Sequence, residues 1–129
     1  KSANKNWVDA NKLHSILYNL KQETTSIVAV IEQVHSMPGQ GVASMFTFGE
    51  GLGCIRGVLV ANGIPIEWVS PQKWKKHFNL TKEKKVATAK VCNLYPQHTE
   101  LFITPRGKCL DGRAEALLIG RWYLETKPI

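Results

Sequence analysis

A chain of 129 residues is long enough for one domain with a single hydrophobic core. Its hydrophobic share of 43% is ordinary for a folded domain, and no apolar run approaches the roughly 20 residues of a membrane span, so a soluble domain without a membrane partner is expected. The formal net charge is +7, and where it lies says more than its size.

The first predicted element is a helix from about Ala10 to Lys21, capped by Asp9, with Leu13, Ile16, Leu17 and Leu20 on one face. Residues 26–32, SIVAVIE, form a short, β-branched and almost wholly apolar run, the pattern of a strand in a parallel sheet covered on both faces. After the loop SMPGQG, a long helix is expected from about Val42 to Asn62, stopped by Gly63. Gly49, Gly53 and Gly57 recur on it at intervals of four, a stripe that weakens the helix but lets another backbone come close, at a dimer seam or on its own sheet. A second strand, Ile64 to Val69, leads into SPQKWKKHF, read as a short helix, and TKEKKVATAKVCNL, read as a longer one with Thr81 as N-cap and Pro96 beyond its end. After a loop with Pro105 and Gly107, a final helix runs from about Asp111 to Glu125. This order is α/β, with right-handed crossover placing the two strands parallel. Two strands are too few to cover four amphipathic helices, so further strands are expected from outside this sequence.

The positive charge is local. From Pro71 to Lys90 there are seven lysines and one acid, Glu83, so this window holds six of the seven net charges. Such a segment suits a polyanion, because each phosphate it neutralises releases counterions, although a solvated lysine-rich helix has the same composition. Trp74 and Phe78, interleaved with the lysines, are either base-stacking aromatics or the core stripe of a short helix. The three cysteines, Cys54, Cys92 and Cys109, have no CxxC spacing, and the opening KSANKN lacks the order of a secretory signal. A reducing compartment is therefore expected.

Three acids stand out. Glu32 ends the first strand, and ligands of open parallel sheets collect at the carboxyl ends of strands; alone, it would be a strand-terminal residue turning to solvent. Asp111 and Glu115 are four apart on the last helix, on one face and about 5–6 Å from each other, and that face continues into Leu118 and Trp122. Asp111 is alternatively the helix N-cap, with Glu115 solvated. Together the three carboxylates have the chemistry of a hard-cation site for Mg²⁺ or Mn²⁺, ions that activate water and neutralise charge on phosphate esters.

The stretch from IEQVHSMPGQG through the glycine-bearing helix to VSPQKWKKHF, followed by DGRAEALLIG, resembles the RuvC-type Holliday junction resolvases, in particular their short phage and organellar relatives. The resemblance runs from about Asp9 to Gly120. It implies a three-layer RNase H-like fold over a single nuclease domain spanning residues 1–129. The implied activity is Mg²⁺-dependent incision of branched double-stranded DNA at four-way junctions by a homodimer, using two ions. The implied location is the cytoplasm of a bacterial or phage-infected cell, or an organellar matrix. By the same resemblance Glu32, Asp111 and Glu115 are catalytic metal ligands. His35 occupies the place of a base-contacting aromatic, and Lys73, Lys75, Lys76, Lys82, Lys84 and Lys85 lie where relatives contact phosphates. The family's first-strand Asp-x-Gly motif has no counterpart here, so the domain is expected to be incomplete at its amino end. The alternatives are a structure-selective DNA-binding protein without catalysis and, more remotely, a nucleotide-binding α/β protein, which the absence of a GxxxxGK[ST] or GxGxxG loop disfavours.

Overall fold

Asp9 caps α1 (Ala10–Glu23) as its place ahead of the apolar stripe requires: its Oδ1 accepts a hydrogen bond from Lys12 N at 3.0 Å. The computed structural model describes residues 7–34 and 39–127, which fall into two compact units, 7–29 with 39–67 and 30–34 with 68–127. In chain order the remaining elements are β1 (Ala29–Glu32), α2 (Val42–Ala61), β2 (Ile66–Val69), α3 (Pro71–His77), α4 (Lys84–Leu94), a 3₁₀ turn (Pro96–Leu101) and α5 (Asp111–Thr126).

The first unit is built on the pair α1 and α2. Asn62, buried at the end of α2, donates from Nδ2 to Val58 O at 2.8 Å and lies 3.0 Å from His14 Nδ1 on α1, while Lys21 Nζ donates to Asn62 O at 2.5 Å. One side chain and one carbonyl thus fasten both ends of the contact. Gly63, at φ +69°, makes the left-handed turn that ends α2, as its place in the sequence predicts. Among the described residues of this unit only Leu59 and Ile64 are buried apolar residues, and α2 leaves Val42, Phe46, Phe48 and Val60 in solvent. Nothing lies within 4 Å of a Cβ built on Gly49, Gly53 or Gly57, so among the described residues the glycine stripe admits no neighbouring backbone. Packing of that stripe on the chain's own sheet is therefore not what the glycines serve here.

The two strands run parallel with a constant offset. Ala29 N donates to Pro65 O (2.9 Å) and Gln33 N to Val69 O (2.7 Å), donors and acceptors both advancing by four residues in the same direction. β1 is shorter than the predicted Ser26 to Glu32, and β2 begins at Ile66 rather than Ile64. The cause lies at Pro65, which has no N–H to donate, and at Ile64, whose N–H is spent on Leu59 O at 3.0 Å in the turn closing α2.

The second unit holds the core. Val69 of β2, Trp74 of α3 and Phe78 at its C-cap, Val91 of α4 and Leu118 and Trp122 of α5 are all less than 8% exposed and pack together, with the half-buried Val30 of β1 against them. Trp74 and Phe78 are thus core residues, and the base-stacking alternative for them falls away. Ser70 caps α3 by accepting from Lys73 N at 3.3 Å, with Pro71 in the first turn where its missing N–H is harmless. Thr81 does not cap α4: its Oγ1 accepts from Glu83 N (3.3 Å) in a side-chain turn, and the helix starts only at Lys84 with Glu83 at the cap position. Residues 103–109 close a tight hairpin, with Ile103 bridged to Cys109 and Gly107 in the left-handed conformation at φ +85°. Leu110 N then donates to Phe102 O at 2.7 Å, which sets α5 to begin at Asp111. Leu110 is the N-cap, so Asp111 is the first helical residue and its carboxylate is not a cap.

At the solvent edge of this unit α3 is tied to α5. His77 Nε2 lies 3.0 Å from Glu125 Oε1; a carboxylate only accepts, so Nε2 carries the proton. Arg121 Nε donates to Glu125 Oε2 at 2.5 Å and its Nη1 to Tyr95 Oη at 3.0 Å. These hydrogen bonds, from His77 first and Arg121 second, hold the Glu125 carboxyl below the usual carboxylate range.

Candidate carboxylate site and basic surface

Glu32, Asp111 and Glu115 all belong to the second unit and all are half-buried. Glu32 Oε2 accepts a 2.6 Å hydrogen bond from Trp74 Nε1, a charge-assisted contact from an indole that has no exposed surface. Asp111 Oδ1 accepts at 3.0 Å from Thr88 Oγ1, and Thr88 is only 1% exposed. The second oxygens, Glu32 Oε1 and Asp111 Oδ2, engage no partner among the described residues, and neither does the carboxylate of Glu115. Oxygen-only donors with one oxygen fixed and one available fit a hard divalent cation in their chemistry. Among the described residues, however, no group of three or more His, Cys, Asp or Glu side chains is drawn together into a metal-holding cluster.

The lysines lie in the same unit, on α3, on α4 and in the turn between them. Lys73, Lys76, Lys82 and Lys85 are exposed, whereas Lys75 is half-buried with its Nζ 5.6 Å from the Trp74 ring centroid. Asn79 takes φ +54°, a left-handed turn that short amide side chains tolerate, and this folds the chain after α3 so that Lys75, Lys76 and Lys82 line one open depression of about 440 Å³ with Gln72, Asn79, Leu80 and Thr81. Three cations around an open concavity suit a phosphate backbone. His35 and the side chain of Lys84 lie outside the described residues.

No protein-family model matches this sequence, and no curated protein does. Solved structures do match. The RuvC of Thermus thermophilus in complex with a Holliday junction substrate aligns with a TM-score of 0.58 at 14% identity, covering 90% of this chain and 68% of that one. A second Thermus thermophilus RuvC structure aligns at 0.57 and 15% identity, with the same coverage. The chain has a RuvC-like fold. At such identity the likeness is one of fold, an α/β arrangement with a small parallel sheet.

Two residues of the site escaped the sequence reading. Trp74 reads as a core aromatic, but an indole N–H is a donor only and needs an acceptor when buried, which is the signal that it would seek a carboxylate or carbonyl. Thr88 interrupts the buried face of α4 between Ala87 and Val91, and a buried hydroxyl likewise requires a partner. Neither signal says which acceptor is chosen.

If the lysines around the depression contact the phosphates of a nucleic acid, affinity for it depends steeply on salt, with about 0.9 in the log–log slope for each phosphate neutralised. Replacing Lys76 and Lys82 by Gln is expected to flatten that slope by about 2 and to weaken binding of all DNA sequences alike, measured by fluorescence anisotropy from 50 to 200 mM salt. An unchanged slope would remove these side chains from the interface.

Proposed function

We propose that this protein is a divalent-metal-dependent endonuclease that cleaves phosphodiester bonds in branched double-stranded DNA, at four-way junctions, as a homodimer with a three-layer RNase H-like domain. The observation that carries the reading is the pair of carboxylates, Glu32 at the carboxyl end of β1 and Asp111 at the start of α5, each clamped through one oxygen by a fully buried donor. A structural carboxylate is more simply placed in solvent; two held in this way, in a unit that also carries the lysine surface and in a RuvC-like fold, support a phosphate-ester site. That a solved relative in fold holds a Holliday junction supports the choice of substrate. The uncovered apolar residues of α2, Val42, Phe46, Phe48 and Val60, are consistent with a second copy covering them.

Glu32 and Asp111, with Glu115, would hold Mg²⁺ or Mn²⁺, two ions in the full reading. When bound, such ions supply activation of water and neutralisation of charge on the phosphate. The protein's own residues do the rest: Lys73, Lys75, Lys76, Lys82, Lys84 and Lys85 hold the backbone without reading bases, and His35 contacts the junction centre.

A second reading keeps the binding and drops the chemistry. What favours it is that, among the described residues, no three or more His, Cys, Asp or Glu side chains are drawn together. A labelled four-way junction incubated with Mg²⁺ and resolved on a denaturing gel separates the two. Paired nicks that vanish with EDTA and in Asp111→Asn are the expected result. Tight binding with no nicking in any divalent metal, unaffected by Asp111→Asn, would establish the inert module instead.

A further inference from the structure

Each of the two lysine-bearing helices sends one buried donor to one candidate metal carboxylate. From α3 it is Trp74, 42 residues distant from Glu32; from α4 it is Thr88, 23 residues distant from Asp111. These are different elements and different chemical groups, yet they finish on two of the three acids that the sequence singles out on independent grounds. Both donors are locked by the core: Trp74 packs with Val69, Phe78 and Leu118, and Thr88 lies between the core residues Ala87 and Val91. Neither donor is open to water, so the position of each N–H or O–H is set by packing rather than by exchange with solvent.

We propose that Trp74 and Thr88 are positioning residues for the metal site, fixing Glu32 Oε2 and Asp111 Oδ1 so that the opposite oxygens are pre-set as cation ligands. The inference rests on the nuclease reading above and goes beyond it in assigning roles to two side chains that touch neither substrate nor ion. A carboxylate free to rotate would have to be ordered each time a cation bound, whereas one clamped through a single oxygen has lost that freedom in folding already. The same linkage joins substrate and site. Lys73 and Lys76 flank Trp74 on α3 and Lys85 lies one turn before Thr88 on α4, so a helix shifted by its grip on the DNA backbone carries its carboxylate with it.

The test uses the full chain, Mg²⁺ and a four-way junction. Thr88→Val keeps the shape and loses the hydroxyl, Thr88→Ser restores the hydroxyl, and Trp74→Phe keeps an aromatic ring and loses the N–H. In Thr88→Val and Trp74→Phe, kcat for nicking is expected to fall about 10- to 100-fold with a higher Mg²⁺ requirement and an unchanged junction Kd, and Thr88→Ser is expected to recover most of the loss. A purely structural role would lower binding and rate together and would not distinguish Val from Ser. Because Trp74→Phe also risks the core, the bond is read directly in the wild-type fold from the Trp74 indole ¹H–¹⁵N NMR signal, assigned by its absence in Trp74→Phe. That signal should move upfield in Glu32→Gln, where a charged acceptor becomes neutral, and should shift on Mg²⁺ addition to the wild type. An indole signal indifferent to Glu32→Gln overturns the proposal whatever the nuclease does. A signal that responds to Glu32→Gln but not to Mg²⁺ leaves the bond standing and overturns the metal reading, and with it the role assigned to both donors.

Discussion

Glu32→Gln is expected to lower junction nicking by about 10³-fold or more while leaving junction binding within about twofold of the wild type. The loss corresponds to about 4 kcal/mol of transition-state stabilisation at 1.4 kcal/mol per tenfold, the scale on which a divalent ion acts when its ligand set is intact. The substitution removes the charge and keeps the shape, and the glutamine carbonyl still offers Trp74 Nε1 an acceptor in place of Glu32 Oε2, so the core around that indole is not left with an unpaired donor. Binding persists because the contacts assigned to DNA are the lysines of α3, α4 and the turn between them, which fix the backbone without Glu32. Single-turnover nicking of an end-labelled junction in Mg²⁺, set beside gel-shift titrations in EDTA, measures the two quantities separately. A variant that nicks within tenfold of wild type would take Glu32 out of the chemistry.

The second large effect is on stability. Leu118 has no exposed surface and lies in the core of the second unit, two turns after Asp111 on α5, whereas Leu124 on the same helix is 77% exposed. Leu118→Ala should therefore destabilise the second unit by about 3 kcal/mol, from lost transfer energy plus a cavity that the neighbouring Trp74 and Trp122 rings fill poorly. Leu124→Ala should change stability by less than about 0.5 kcal/mol. Urea denaturation followed by tryptophan fluorescence checks both, since two of the indoles are in this core. Equal costs at the two positions would mean that α5 is not seated as described, and the placement of Asp111 and Glu115 would fall with it.

Much of the local structure was legible before the fold was seen, because it depends on neighbours in the chain. Asp9 caps α1 since a short acceptor must meet the free N–H groups of the next turn, and Gly63 ends α2 since only a residue at ease at positive φ continues the chain there. The spacing of Leu118 and Trp122 on one face of α5 follows from helical period alone. The errors share one cause, competition for a partner. Residues 26–28 read as strand but lie beyond the end of the ladder, because Pro65 has no N–H and Ile64 has spent its own on Leu59. Thr81 reads as a cap but its hydroxyl bonds Glu83 N instead.

The sequence by itself determined the element order, the concentration of lysines between Pro71 and Lys90, and the three acids worth suspecting, all of them properties of residue type and short spacing. Only the tertiary structure decided what holds two of those acids, Glu32 and Asp111. That Glu32 takes its hydrogen bond from Trp74, and Asp111 from Thr88, depends on which buried donor packing delivers to which oxygen across 42 and 23 residues of chain. No spacing rule encodes that choice: a buried N–H or O–H must find an acceptor, but the shape of the surrounding core selects the one it reaches.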